Sequence, residues 1–116
     1  MELKVNKKTG MMHINSAHVV EYMEQKVEMV PGVVSIGKSG FTNKLIKIIN
    51  LNSINSIKIT PIATGVIGVE VHAIVASGIN FTLISEQIQE IIIFSVEKKY
   101  GIKVSFVDVI VEGTDK

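Results

Sequence analysis

The sequence predicts an α+β domain in which two helices pack on one face of a small mixed β-sheet, in the approximate order β-α-β-β-β-α-β. Three observations lead there. Val19, Val20, Met23, Val27 and Val30 recur at helical spacing and stop at Pro31-Gly32. Val69, Val71, Ala73 and Val75 alternate with Glu70, His72, Ile74 and Ala76, the period of a strand with one face in a core. A second amphipathic stretch, with Ile84, Ile88, Ile91, Ile92 and Val96 on one stripe, closes on Lys98-Lys99-Tyr100-Gly101 and runs into the alternating Val107, Val109 and Val111. At 116 residues and 47% hydrophobic, the chain suits one domain whose aliphatic core needs neither disulfide nor metal.

Taken in order, residues 1–10 read as a polar N-terminal segment, and a single α+β domain spans 11–113. Met11 to Ile14 is a candidate short strand. The first helix runs from Ser16 to about Met29, with Asn15 or Ser16 as its cap and Glu21, Glu24, Gln25 and Glu28 opposite the apolar stripe. Val33 to Ile36 is β-branched and reads as a strand, and Gly37 to Asn43 as a turn. Between Leu45 and Ile62, Ile46, Ile48, Ile57 and Ile59 alternate with Lys47 and Lys58, which suggests strands interrupted by Asn50, Asn52 and Asn55. Gly65 to Gly68 forms a turn or bulge. The second helix covers about Thr82 to Tyr100. Glu86 and Glu90 lie toward its start and Lys98 and Lys99 at its end, as the helix dipole favours, and Gly101 suits the position just past the last turn. In the last strand the apolar phase changes: Ile102, Val104 and Phe106 hold one parity, Val107, Val109 and Val111 the other. A bulge near Ser105 or Phe106, or a late strand start, would reconcile the two.

Composition narrows the function classes. The net charge is +1, too small a field to imply nucleic acid or an acidic partner. All twelve basic residues are lysine. Without arginine, bidentate readout of guanine or phosphate is disfavoured. Zero cysteine removes a disulfide framework, a thiolate zinc site and a cysteine nucleophile. Met1 to Thr9 is charged and lacks the apolar stretch of a signal peptide, and no apolar run approaches about 18 residues. The expected location is therefore the cytoplasm.

Motifs are few. Gly32 to Ser39 fits the phosphate-binding pattern G-x-x-x-x-G-K-[ST], but it follows a helix and its interior is β-branched, whereas a phosphate loop follows a buried strand and opens a helix. Gly65-Val66-Ile67-Gly68 has the spacing of an RNA-binding G-x-x-G loop, yet it leads into a strand. His13, His18 and His72 show no metal-ligand spacing, and Glu21, Glu24 and Glu28 share one helix face that reads as solvated. No G-x-S-x-G elbow occurs. The expectation is no catalytic residue, no cofactor and no metal.

Surplus hydrophobicity is the more informative feature. Ile93 falls among Glu86, Glu90 and Glu97, away from the second helix's core stripe, and Phe94 on a flank with Leu83. Ile74 and Ile110 take the parity of Glu70, His72, Asp108 and Glu112 on their strands. A contiguous exposed apolar patch marks an interface, so Ile93, Phe94, Ile74 and Ile110 are the candidate partner-binding residues.

From about Met12 to Gly113 the chain resembles the bacterial alkaline shock protein 23 family, also called the envelope stress response family. The resemblance rests on Ile14-Asn15-Ser16 leading to Val19-Val20, and on the helix-ending Val30-Pro31-Gly32-Val33. It continues in Val69-Glu70-Val71 through Ala76-Ser77-Gly78-Ile79-Asn80, and in Gln87, Gly101, Val104, Val107, Val109, Val111 and Gly113. Lys38 to Ile62 is longer and richer in asparagine than that pattern, and Tyr22, Met23 and Lys26 replace the small residues of its first helix. The resemblance implies a small non-enzymatic α+β protein acting in envelope stress or lipid homeostasis through protein–protein contacts. Implied partners are membrane-anchored or lipid-metabolism proteins, with a homo-oligomer as another form of contact and no nucleic acid or membrane span. It transfers no active-site residue. A reading from another class is a small nucleotide- or RNA-binding module.

Overall fold

The computed structural model describes residues 1–35, 57–76 and 78–113. Their order is β1 (Glu2–Lys7), β2 (Gly10–Asn15), α1 (Ser16–Glu28), β3 (Val33–Ser35), β4 (Ile57–Ala63), β5 (Val66–Val75), α2 (Phe81–Tyr100) and β6 (Lys103–Gly113). This is the anticipated α+β order with one strand added at the start. Ile36 to Ser56 and Ser77 lie outside the described residues, and with them the turn expected at 37–43 and the alternation at Ile46 and Ile48.

The added strand corrects the reading of residues 1–10 as a polar segment. β1 pairs antiparallel with β2, and Leu3↔Ile14 and Val5↔Met12 are cross-strand partners. Leu3 and Val5 are buried in the core, and Met12 and Ile14 pack against it. Two apolar residues at period 2 among Glu2, Lys4 and Asn6 are enough for a half-buried strand once a turn at Lys8-Thr9 folds it onto a neighbour. The Ser16 N–H donates to the Met1 carbonyl at 2.8 Å and ties the hairpin to the start of α1.

α1 begins because the Asn15 side chain accepts the Ala17 N–H at 2.9 Å, and it stops as foreseen before Pro31-Gly32. Val19, Met23, Val27 and Val30 are buried, with Val20 partly so. In α2, Asn80 caps the start by accepting the Leu83 N–H at 3.1 Å, and Gly101 ends it in the left-handed conformation at φ 74°. Ile84, Ile88, Ile92 and Val96 are buried, and Ile91 packs against the core at its margin.

β5 is the centre of the larger, mixed sheet. β6 runs parallel to it along its whole length, from Val66↔Lys103 to Val75↔Gly113. The other side of β5 is shared between antiparallel β4 (Ile57↔Val71 to Ala63↔Val66) and antiparallel β3 at Ile74 and Val75. The turn joining β4 to β5 is Thr64-Gly65, and Gly68 belongs to the strand. The apolar phase change in β6 has the expected cause. The register steps from Ile67↔Val104 to Gly68↔Phe106, so Ser105 is extra, and Val104 and Val107 are both buried.

The helices cover the sheet face formed by Ile57, Ile59, Ile67, Val69, Val71, Ala73, Val75 and Val107, all buried. α1 packs on β3, β4 and α2, and α2 packs on β6. The helices are antiparallel. Tyr100, at the end of α2, points its hydroxyl at the His18 carbonyl near the start of α1, whereas Gly32, just past α1, lies against Ile84 near the start of α2. The far face of the sheet carries Lys58, Thr60, His72, Phe106, Asp108 and Ile110, all exposed, with Glu70 and Ile74 half-buried.

Candidate functional site

The fold divides the four predicted partner-binding residues between two surfaces. Ile74 and Ile110 share the open sheet face. His72 is the register partner of Ile110, so Ile74 lies diagonal to it. On the same face His72 Nε2 is 2.8 Å from Glu70 Oε2, and Asp108 is the register partner of Glu70. Ile110 is 37% exposed. Apolar and charged groups alternate here, and the histidine–carboxylate pair stands on an open face rather than in a cleft.

Ile93 and Phe94 lie on α2, in the opposite layer, and the structure separates them. Ile93 packs against the core, whereas Phe94 is 65% exposed. The reason is the edge of the sheet. Gln89, Ile93 and Glu97 form one stripe at four-residue spacing. The Gln89 amide donates to the Val107 carbonyl at 3.0 Å, and Glu97 Oε2 accepts the Val104 N–H at 3.0 Å. Both are groups of β6. Glutamates at 86, 90 and 97 suggest a solvated sector, but Glu97 turns onto β6, and Ile93 sits between the two contacts. The acidic pattern hid a second packing stripe.

Of the phosphate-loop pattern, Val33 to Ser35 is strand paired with β5, so its first half is extended backbone, not a cradle of amides. Ile36 to Ser39, Lys38 included, lie outside the described residues. Among the described residues no three histidine or acidic side chains are placed to hold a metal ion. No helix among them is long and apolar enough to cross a membrane.

Comparison with known proteins bears on the fold. No family model matches the chain, and no characterised protein sequence does. Among solved structures it is similar to the MamM CTD in two single-substitution variants. One aligns at a TM-score of 0.52 with 15% identity, covering 87% of this chain and 100% of that one. The other aligns at 0.52 with 16% identity, covering 86% and 96%. At such identity the likeness is one of fold.

A feature the sequence did not single out lies along the α1–α2 seam. A cleft of about 420 Å³ is lined by Tyr22 and Lys26 of α1 and by Phe94, Ser95, Lys98 and Lys99 of α2. Tyr22 and Tyr100 meet edge to face, centroids 5.6 Å apart at 88°. Lys99 Nζ is 4.5 Å from the Tyr22 centroid, and Lys26 Nζ is 5.3 Å from the same ring. Lys98 Nζ lies 5.5 Å from the Phe94 centroid. Burial pushes the Tyr100 hydroxyl up from its ordinary pKa, with Tyr22 and Glu21 adding in the same direction. A neighbouring surface groove is lined by Met29, Val30, Pro31, Gln87, Glu90 and Ile91, and Met29 is 66% exposed. Tyr22/Lys26 and Phe94/Lys98 are legible as pairs four residues apart on a helix. Their convergence depends on the antiparallel docking of the helices, which no local pattern encodes.

Proposed function

We propose that this chain is a non-catalytic protein-contact module, with the α1–α2 flank as its working surface. The observation that carries the reading is the run of large apolar side chains left uncovered there: Met29, Phe94 and Leu83, the last half exposed. Apolar anchors on a helix flank beside a groove are what a binding partner buries. The open sheet face, with Ile74 and Ile110, is the second surface. The setting proposed is envelope stress or lipid homeostasis, with membrane-anchored or lipid-metabolism partners or a second copy. That setting rests on the sequence resemblance alone.

The test is a Met29→Ser/Phe94→Ser double variant expressed in the native cell. Circular dichroism should show an unchanged fold, because both side chains are exposed. In vivo cross-linking and size-exclusion light scattering should show weaker partner recovery or weaker self-association. A folded variant that keeps its oligomeric state and every cross-linked partner would sink the reading.

A further inference from the structure

We infer that the cleft between α1 and α2 is a receptor for an acidic, apolar-flanked segment of a partner protein. A carboxylate seats among Lys26, Lys98 and Lys99, and the adjoining side chain lies against Phe94 and Tyr22. The inference deepens the protein-contact reading and rests on it.

The charge arrangement carries the argument. Lys26 and Lys99 come from different helices yet hold their ammonium groups over one ring, Tyr22, which puts them within about 10 Å of each other. At low salt, where the screening length is about 30 Å, both ammonium groups act together on an anion placed between them. Lys98 adds a third cation on the same wall. Among the described residues none of the three takes part in an ion pair. Each lies in the last turn of its helix, where the dipole favours a cation. The dipole accounts for lysine on each helix, but not for two ammonium groups from different helices meeting at one aromatic ring across the seam. An incoming carboxylate is attracted by both at once.

The shape and the walls select the class of anion. The site is a cleft and not a convex patch, so it suits an inserted side chain better than a flat bilayer. Lysine is a compact, flexible point charge, suited to a carboxylate approached from several directions, whereas a planar arginine fork would specify one geometry. Exposed Phe94 gives the residue next to the carboxylate an apolar contact.

The experiment titrates the ¹⁵N-labelled full chain with acetyl-Glu-Phe-Glu-amide at millimolar concentration, with acetyl-Gln-Phe-Gln-amide as control. Saturable shifts of the amides at 22–26 and 94–99 are expected with the acidic peptide alone. Lys98→Gln/Lys99→Gln should weaken binding about tenfold, as the loss of two exposed charge pairs would. Lys58→Gln, on the far sheet face, should leave it unchanged. The inference is overturned by absence of saturable shifts, by equal shifts with the neutral peptide, or by indifference to the lysine substitutions. It is also overturned if the chain sediments with phosphatidylglycerol vesicles but not phosphatidylcholine vesicles and the same variants abolish this, which would make the cleft a membrane site. Failure of the peptide while the Met29/Phe94 variant still loses its partners would remove this inference and leave the contact reading standing. Peptide binding with no partner loss in that variant would remove the contact reading and, with it, the partner segment inferred here.

Discussion

The ring of Phe106 covers Gly68, its partner in the β5–β6 register, so closely that a Cβ at position 68 would overlap the ring. The bulge at Ser105 turns Phe106 to the open face of the sheet, and the missing side chain at 68 makes the space it fills. Glycine weakens a strand interior, and an aromatic residue laid across it recovers part of the loss. Gly68→Ala should therefore destabilise by about 1–3 kcal/mol, the usual range for overpacking, despite the higher strand preference of alanine. Phe106→Ala should cost less than a core aromatic, since Phe106 is 40% exposed. Urea denaturation of the double variant should show a cost below the sum of the single ones. Simple additivity would mean that the two positions are not coupled.

The two stripes of α2 make a graded prediction. Ile88 is fully buried, and Ile88→Ala should cost about 2–5 kcal/mol. Ile93→Ala should fall in between, because Ile93 packs against the core while remaining partly exposed. Phe94→Ser should lie within about 0.5 kcal/mol of the parent, as for an exposed site. Chemical denaturation that ranks Phe94 above Ile93 would contradict the helix orientation described here.

Tyr100 predicts a difference in alkaline behaviour. Its pKa is raised in the folded state, chiefly by burial. Below the unfolded value near 10 both states hold the proton and the group adds no pH dependence. Above it the unfolded state ionises first, so stability falls as pH rises through 10 toward the folded value. Tyr100→Phe removes that loss together with a long hydroxyl contact to the His18 carbonyl, 3.5 Å. The variant should be less stable by under about 1 kcal/mol at neutral pH and should gain on the parent above pH 10. Thermal melts of both proteins from pH 8 to 11 check this.

The edge of β6 gives a fourth prediction. Gln89 and Glu97 satisfy the Val107 carbonyl and the Val104 N–H, and so occupy groups that a foreign strand would otherwise pair. Gln89→Leu/Glu97→Leu should raise concentration-dependent association, followed by light scattering, more than it lowers the melting temperature of dilute protein. An unchanged association constant would show that the two side chains do not guard the edge.

Much of the fold was legible because its periodicities are local. The α1 stripe, the β5 alternation and the bulge in β6 all follow from the spacing of Val and Ile within one element. β1 escaped because two apolar residues among charges carry little signal until β2 is known to face them. Ile93 was misplaced for a different reason. Glutamate usually marks solvent, yet Glu97 spends its carboxylate on a backbone amide seven residues ahead. The lysine–aromatic cleft was beyond the sequence because it needs Tyr22 to meet Lys99 across the helix seam. Exposed apolar candidates could be named from the pattern, but Phe94 and Ile93 differ by only one step around the helix, and that step decides which one meets solvent.

The placement of β5 constrains how the chain can fold as it is made. One whole side of this ten-residue strand is supplied by β6. Until residues 103–113 leave the ribosome, β5 keeps a bare edge and α2 has no strand to lie on. Early synthesis can form the β1–β2 hairpin and a transient helix, but the central pairing, which begins at Val66↔Lys103, must wait for the whole of α2 between its two strands, a slow, non-local step. Protease resistance should therefore arise late and all at once. Chains stalled before Lys103 would be substrates for chaperones rather than half-built domains.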